Sequence, residues 1–336
     1  MYINKNVKKE VSLKVRMKER IIGLQIRNFG VLFALVILIV FFSFMSRGKF
    51  ITISNILTVA RQVSLAIIVG VGLTFVMITA EIDLAVGSYL ALSGVLAAAI
   101  LFYRIPWYLA LLITMIVMAT LGLIIGVIVA KQKLNSLITT LAMMGISRGI
   151  ALAYTGGAPI YIKNDAFISL GTGYIGPIPT PVVIAAVVLI ISHFVLRKTK
   201  FGRYVYAVGG NQEAALTSGI NVDRIKIIVF VITGMLSGLA GSILAGRLFS
   251  GNPTAGQGFE LDVISGVVIG GTSLFGGIGS MWGTLIGAVT VGILGNGLTI
   301  LGVGYFYQLI AKGFIIYIAI LIDRQTREVG LRGRRI

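Results

Sequence analysis

Eleven acids, one histidine and no cysteine leave this chain few side chains with which to do chemistry. Four of the acids form two matching groups, Glu81-x-Asp83 and Glu260-x-Asp262, each with a glycine four residues after the aspartate, Gly87 and Gly266. Two readings compete. Carboxylates spaced this way line or gate a polar path through an apolar protein, or each caps a helix where a negative charge meets the positive end of the dipole. Capping fits Asp83 and Asp262 better, because each stands just before an apolar run. Hydrolysis or group transfer has no support: no nucleophile accompanies paired carboxylates, and His193 has neither an acidic nor a metal-ligand partner nearby in sequence. The missing cysteines remove disulfides, thiolate catalysis and cysteine metal sites. The expectation is a protein that is not an enzyme and holds no metal or cofactor. Gly48-Lys49 lacks the upstream glycine and following Ser/Thr of a P-loop, so ATP is not hydrolysed here by that route. Gly171-Thr-Gly173-Tyr-Ile-Gly176 matches a dinucleotide pattern, but no strand precedes it and Pro177 follows at once. A proton-coupled carrier would want an acid or histidine buried mid-span, and the sequence places none of the acids there.

A more distinctive pattern is mechanical. Residues 197–226 interrupt an apolar chain with six Lys/Arg, and Asn211 to Gly219 reads as a short self-contained helix. Asn211 suits the N-cap, Glu213 the first turn, and Gly219 a left-handed C-terminal position. Two turns of helix on the face of a membrane protein have the shape of a docking lever. The alternative is an ordinary loop made basic for topological reasons.

The elements that must position these residues are membrane helices. Hydrophobic residues make up 57% of the chain and charged residues 12%, about half the charge of a soluble domain. Apolar spans recur throughout, without the short alternating segments of a β-barrel, so the fold class is all-α, a polytopic membrane helical bundle. Ten transmembrane helices are expected at 28–44, 56–79, 84–102, 106–130, 134–154, 181–196, 227–249, 261–275, 281–300 and 305–322. They sit within one transmembrane domain (28–323) between a basic N-terminal segment (1–27) and a basic tail (324–336). The start lacks a short apolar core with a small-residue cleavage site, so the first span is expected to be retained. The net charge of +18 would suit nucleic acid, but its distribution excludes that partner. Both termini, 131–133 and 197–226 hold 21 Lys/Arg, against four in the opposite segments (Arg47, Lys49, Arg104, Lys163). This bias predicts both termini in the cytoplasm, with the basic ends touching anionic lipid. The remaining cations, Arg61, Arg148, Arg247 and Lys312, are read as snorkelling. The outer segments 155–180 and 250–258 form the expected landing surface for an external partner. Glycines at four-residue spacing (122/126, 145/149, 234/238, 266/270, 279/283/287) suit close helix packing. The two E-x-D-x-x-x-G motifs lie 179 residues apart, a shift of five helices, which would make the halves inverted repeats unless the echo is coincidence.

Several motifs then coincide in order: Ile82-Asp83-Leu84-Ala85-Val86-Gly87-Ser88, Gly209-Gly-Asn-Gln-Glu-Ala-Ala215, Ser218-Gly-Ile-Asn-Val222, Pro253-Thr-Ala-Gly-Gln-Gly258, Gly270-Gly-Thr-Ser-Leu-Phe-Gly-Gly277, Asn296-Gly297 and Leu301-Gly302-Val303. Together they resemble the permease subunits of ribose-type monosaccharide ABC importers, over about residues 50 to 323. The resemblance implies a type II importer-like permease of the bacterial cytoplasmic membrane, paired with a second copy or a paralogue. Its further partners would be a cytoplasmic ABC ATPase subunit and an extracytoplasmic sugar-binding protein, and its substrate a monosaccharide. Gly202, Arg203, Gly210, Asn211, Glu213, Ala214, Ala215, Ser218 and Gly219 would engage the ATPase; Glu81, Asp83, Glu260, Asp262 and Asn296 are the candidates for the translocation path or gate. Family members carry Gly-Gly or Ser-Gly before the Ile-Asp-Leu motif, where this chain has Ala80-Glu81, and the proline that often follows the Glu-Ala-Ala loop in other importer classes is missing. An ABC permease for branched-chain amino acids or nucleosides is the nearest alternative, an ion-coupled secondary carrier a more distant one.

Overall fold

None of the six prolines falls inside a long apolar run, and the helices form accordingly: Pro106 caps one helix and Pro181 stands in the first turn of another, where its missing N–H costs nothing. The computed structural model describes residues 32–304, 306–314, 317 and 321. The segment 1–27, the start of the first expected span and the tail 324–336 lie outside the described residues.

The helices are α1 (Leu32–Met45), α2 (Ile53–Ile78), α3 (Val86–Phe102), α4 (Trp107–Lys131), α5 (Ser136–Thr155), α6 (Asp165–Thr172), α7 (Thr180–Lys198), α8 (Lys200–Gly210), α9 (Gln212–Thr217), α10 (Val222–Arg247), α11 (Phe259–Ile269), α12 (Met281–Ile300) and α13 (306–314). Among the described residues α2, α4, α5, α7, α10 and α12 are long and apolar enough to cross a membrane, while α1 and α3 are shorter apolar helices. This is a multi-pass helical membrane protein. Two small ladders join the loops: β1 (Ile160–Tyr161) pairs antiparallel with β4 (Ser250–Gly251), and β2 (Tyr174–Ile175) with β3 (Ile178–Pro179).

α2 and α10 form the centre, apolar on nearly every side, whereas α4, α5 and α7 keep apolar faces exposed, as lipid-facing helices must. Glycines set the closeness of the packing. A β-carbon at Gly122 would strike the Phe230 carbonyl, and one at Gly234 the Met118 carbonyl, so the 122/126 and 234/238 ridges face each other across α4 and α10. Gly266 and Gly270 meet Gly287 and Gly283 in the same way across α11 and α12. Gly145 and Gly149, by contrast, have nothing within 4 Å of a β-carbon.

The two halves exchange partners. α10 packs on α3 and α4, and α2 packs on α11 and α12. Glu81, three residues past the end of α2, pairs with Lys226 near the start of α10, so these equally long helices run in opposite directions. Each is followed by a non-helical stretch and then a shorter helix, the arrangement of an inverted repeat.

One expected span is corrected. The stretch 261–275 does not form a spanning helix: α11 has 11 residues, about 16 Å, and stops at Gly270 before the left-handed glycines 271, 276 and 277.

Candidate functional site

Two places in this fold carry polar groups in unusual settings: the basic segment after α7, and the two breaks that follow α2 and α10.

In the basic segment, Asn211 caps α9, its side chain accepting the Ala214 N–H at 2.9 Å, with Glu213 in the first turn. Gly219 closes the helix at φ 81°. Its N–H bonds the Leu216 carbonyl and the Ile220 N–H reaches back to the Ala215 carbonyl, both at 3.0 Å, which is the Schellman pattern. Arg203, Gly210, Asn211, Glu213, Ala214, Ser218, Gly219 and Leu216 are exposed, while Ala215 and Gly202 are buried and hold the segment down. Gly202 allows α8 to turn tightly against α7, because a β-carbon there would strike the Leu196 carbonyl.

The segment is fastened to both halves by residues outside the expected set. Gly209 leaves no room for a β-carbon beside the Ile78 carbonyl, at the end of α2, and the Gly277 N–H donates to that same carbonyl at 2.8 Å. The Tyr206 hydroxyl donates to the Gly279 carbonyl at 2.7 Å. Burial pushes the Tyr206 pKa up, against the opposing pull of Arg197, so this donor stays protonated. One junction thus joins α8, the end of α2 and the loop between α11 and α12. Sequence reasoning quoted Gly209 and Gly277 as motif members without a role. Their doubled glycines were the available signal.

In the first break, Ala80 adopts φ 64°, the left-handed conformation glycine takes without strain. Glu81 pairs with Lys226 at 2.5 Å, both side chains nearly buried. Asp83 is fully buried; one oxygen accepts the Ala85 N–H at 2.9 Å and the other has no partner, as is true of the nearby Tyr89 hydroxyl. The N-cap of α3 is Ala85, without a side-chain bond, so Asp83 does not cap α3 as expected; it braces the turn before it.

The second break, 248–258, was expected to be an outer loop. It re-enters the bundle instead. Gly251 sits against Gly94 and Ala98 of α3, whereas Gly256 sits against Gly87 and Leu90, so the chain descends along α3 to its first turn. A polar, glycine-rich stretch reads the same in sequence whether it faces solvent or re-enters. Glu260 follows at the start of α11, its carboxylate against Gly87, and so does not lie at an outer span end. Asp262 pairs with Lys312 of α13 at 2.8 Å. Arg148 of α5 joins the second break to the first turn of α3: one guanidinium nitrogen donates to the Pro253 and Ala255 carbonyls at 2.6 and 2.7 Å, the other to the Gly87 carbonyl at 3.4 Å. Arg61 lies 4.7 Å over the Tyr174 ring. Arg61, Arg148 and Lys312, expected to snorkel, thus each have a partner within the chain: an aromatic ring, backbone carbonyls and an acid.

Asn296 is placed apart from the breaks, in a reciprocal amide pair with Asn55 of α2, both bonds 3.0 Å. His193 packs against Trp282, ring centroids 5.8 Å apart.

A family model described as "Branched-chain amino acid transport system / permease component" matches residues 55–322. The chain is similar to the ribose import permease protein RbsC of Haemophilus influenzae, 47% identical over 294 residues, with 86% of this chain and 91% of that one covered. It is 44% identical to RbsC of Bacillus subtilis over 301 residues, 89% and 93% covered. The L-arabinose ABC transporter permease protein AraH of Azospirillum brasilense is 39% identical over 279 residues, 83% and 82% covered. No solved structure matches significantly.

Proposed function

The chain belongs to the permease-component family of branched-chain amino acid transport systems, and from that premise we propose that it is the membrane-spanning subunit of an ABC importer for a monosaccharide of the ribose type. The relatives named for ribose and arabinose favour a sugar over the amino acid in the family's description. The observation that carries the mechanism is the junction of Gly209, Ile78 and Gly277. It packs the segment that carries the exposed α9 against the end of α2 and the loop between α11 and α12, so in this reading a push on α9 reaches one element of each half at once. In this reading an ATPase subunit docks on Arg203 and the exposed face of α9, its closure tilts the halves, and the solute passes as access alternates. Two copies of the chain, or this chain and a paralogue, form the path. Both termini and residues 197–226 lie in the cytoplasm of a bacterial cell, and a sugar-binding protein delivers substrate to the opposite face. ATP is the energy source and is hydrolysed on the separate subunit.

The test is reconstitution in vesicles with and without the ATPase and binding protein. Ribose uptake should require both partners and ATP. Uptake by the chain alone under an imposed proton gradient would overturn the reading in favour of a secondary carrier. Gly219→Val, which forces a β-branched residue to positive φ, should uncouple ribose-stimulated ATP hydrolysis while the binding protein still docks. A normally coupled Gly219→Val complex would reduce residues 197–226 to a basic loop.

A further inference from the structure

Arg148 is the thirteenth residue of the 20-residue α5, about 18 Å along a helix of about 30 Å. It therefore lies well inside the apolar slab that α5 crosses. A guanidinium at that depth is costly and marks function by default. Its nitrogens are engaged by two carbonyls of the re-entrant loop and one of the first turn of α3. Glu260 is within electrostatic reach of that charge but does not form a direct ion pair with it; among the described residues the ion pairs are Lys133–Asp223, Lys226–Glu81 and Lys312–Asp262. The arrangement leaves a carboxylate beside a guanidinium, each half-buried, at the level of a re-entrant polar loop.

What covers this place is constrained by physics. Thr254 and Gln257 of the loop are exposed, and so are Gly145 and Gly149 on the adjacent face of α5. Non-helical backbone at membrane depth cannot face hydrocarbon; it is tolerated against protein or along a water-filled cavity. Gly145 and Gly149 leave that side of α5 open, since a β-carbon there would touch nothing within 4 Å, and a re-entrant polar loop bordering it requires water or protein rather than lipid. We propose that Arg148 and Glu260 form the polar wall of the aqueous translocation path, with Glu260 accepting hydroxyl hydrogen bonds from a passing polyhydroxylated solute and Arg148 as the positioning residue that holds the re-entrant loop open to it. This rests on the reading of the chain as a sugar permease, since a sugar's hydroxyls are the donors that such a carboxylate serves.

The cysteine-free chain makes the test direct. Gln257→Cys and Gly149→Cys, each assembled with the ATPase and binding protein in vesicles, are exposed to a charged, membrane-impermeant methanethiosulfonate. Ile190→Cys, on an exposed apolar face of α7, is the lipid-facing control, and ATPase pull-down confirms assembly of each variant. Labelling of Gln257→Cys and Gly149→Cys at least tenfold faster than the control, in either nucleotide state, is expected. Ribose should slow it severalfold, and adding Glu260→Met, which keeps much of the volume and removes the acceptor oxygens, should remove that protection. Assembled complexes in which both positions resist labelling as Ile190→Cys does would overturn the path and make this face an interface between two copies or a lipid surface. Fast labelling slowed by leucine and not by ribose would leave the water-filled path standing, but would overturn Glu260 as a hydroxyl acceptor and the sugar reading with it.

Discussion

Each helix break adjoins an E-x-D-x-x-x-G motif, which starts within the first break and just after the second, and the two breaks stand in different surroundings. The first is closed. Glu81 is locked to Lys226, Asp83 is sealed from solvent, and the turn is held against the junction that anchors α8. The second is open along one side: Thr254 and Gln257 are exposed, Glu260 is half-buried, and the Asp262–Lys312 pair is about twice as exposed as its counterpart, at 27% and 21% against 13% and 11%. The matching sequences adopt different backbone: Glu81 and Asp83 stand in a non-helical turn before α3, whereas Glu260 and Asp262 lie in the first turn of α11. Under the proposed function, the first break would transmit force from the α9 side and the second would receive cargo.

The motif glycines offer the hardest test of this contrast. At Gly87 a β-carbon would collide with the Glu260 carboxylate and come within 2.6 Å of the Gly256 carbonyl, so the first break cannot yield without displacing the second. At Gly266 the nearest atoms are backbone atoms of Ala288, at 3.1 Å, a tight contact without the overlap seen at Gly87. Gly87→Ala should cost about 3 kcal/mol or more and Gly266→Ala about 1–2 kcal/mol, the upper and lower parts of the overpacking range. Graded SDS unfolding of the purified protein would measure both. Equal costs would mean that the two breaks are packed alike and that the contrast is superficial.

The ion pairs come next in size. Lys226→Met leaves Glu81 nearly buried without a partner, a loss of about 3 kcal/mol, whereas Lys312→Met strands a more exposed Asp262 and should cost about 1 kcal/mol. Adding Glu81→Gln to Lys226→Met should recover most of the loss, because the damage comes from the uncompensated charge. No recovery in the double variant would show that the lysine acts through packing.

Much of the local structure was legible in the sequence because its causes are local. The α9 caps at Asn211 and Gly219 depend on residues within one turn, and the positions of the long helices α2, α4, α5, α7, α10 and α12 follow from apolar run length. What escaped depended on partners remote in the chain. Arg148 finds its carbonyls more than 100 residues away in the re-entrant loop, and a loop that dives beside α3 has the composition of one that faces water. Asn296 is singled out only through the family motif, and its amide partner, Asn55, stands 241 residues distant in the chain. The junction at Gly209 was invisible for the same reason: a doubled glycine announces a close approach without saying to what.

The smallest effect separates the breaks by backbone conformation alone. In the first, the left-handed residue just before the acid is Ala80, at φ 64°; in the second it is Gly258, at φ 75°, two residues before Glu260. An L-residue in this region costs about 1–2 kcal/mol, and replacing alanine with glycine returns part of that gain as unfolded-chain entropy, about 0.4–1 kcal/mol. Ala80→Gly should therefore stabilise the protein by about 0.5–1 kcal/mol. Gly258→Ala, where a β-carbon meets no neighbour within 4 Å, should destabilise it by a similar amount through strain alone. The paired shifts in SDS unfolding midpoint should be of opposite sign. If Ala80→Gly instead lowers stability, the β-carbon of Ala80 contributes packing that outweighs its strain, and the first break is held by its side chains more than by its turn.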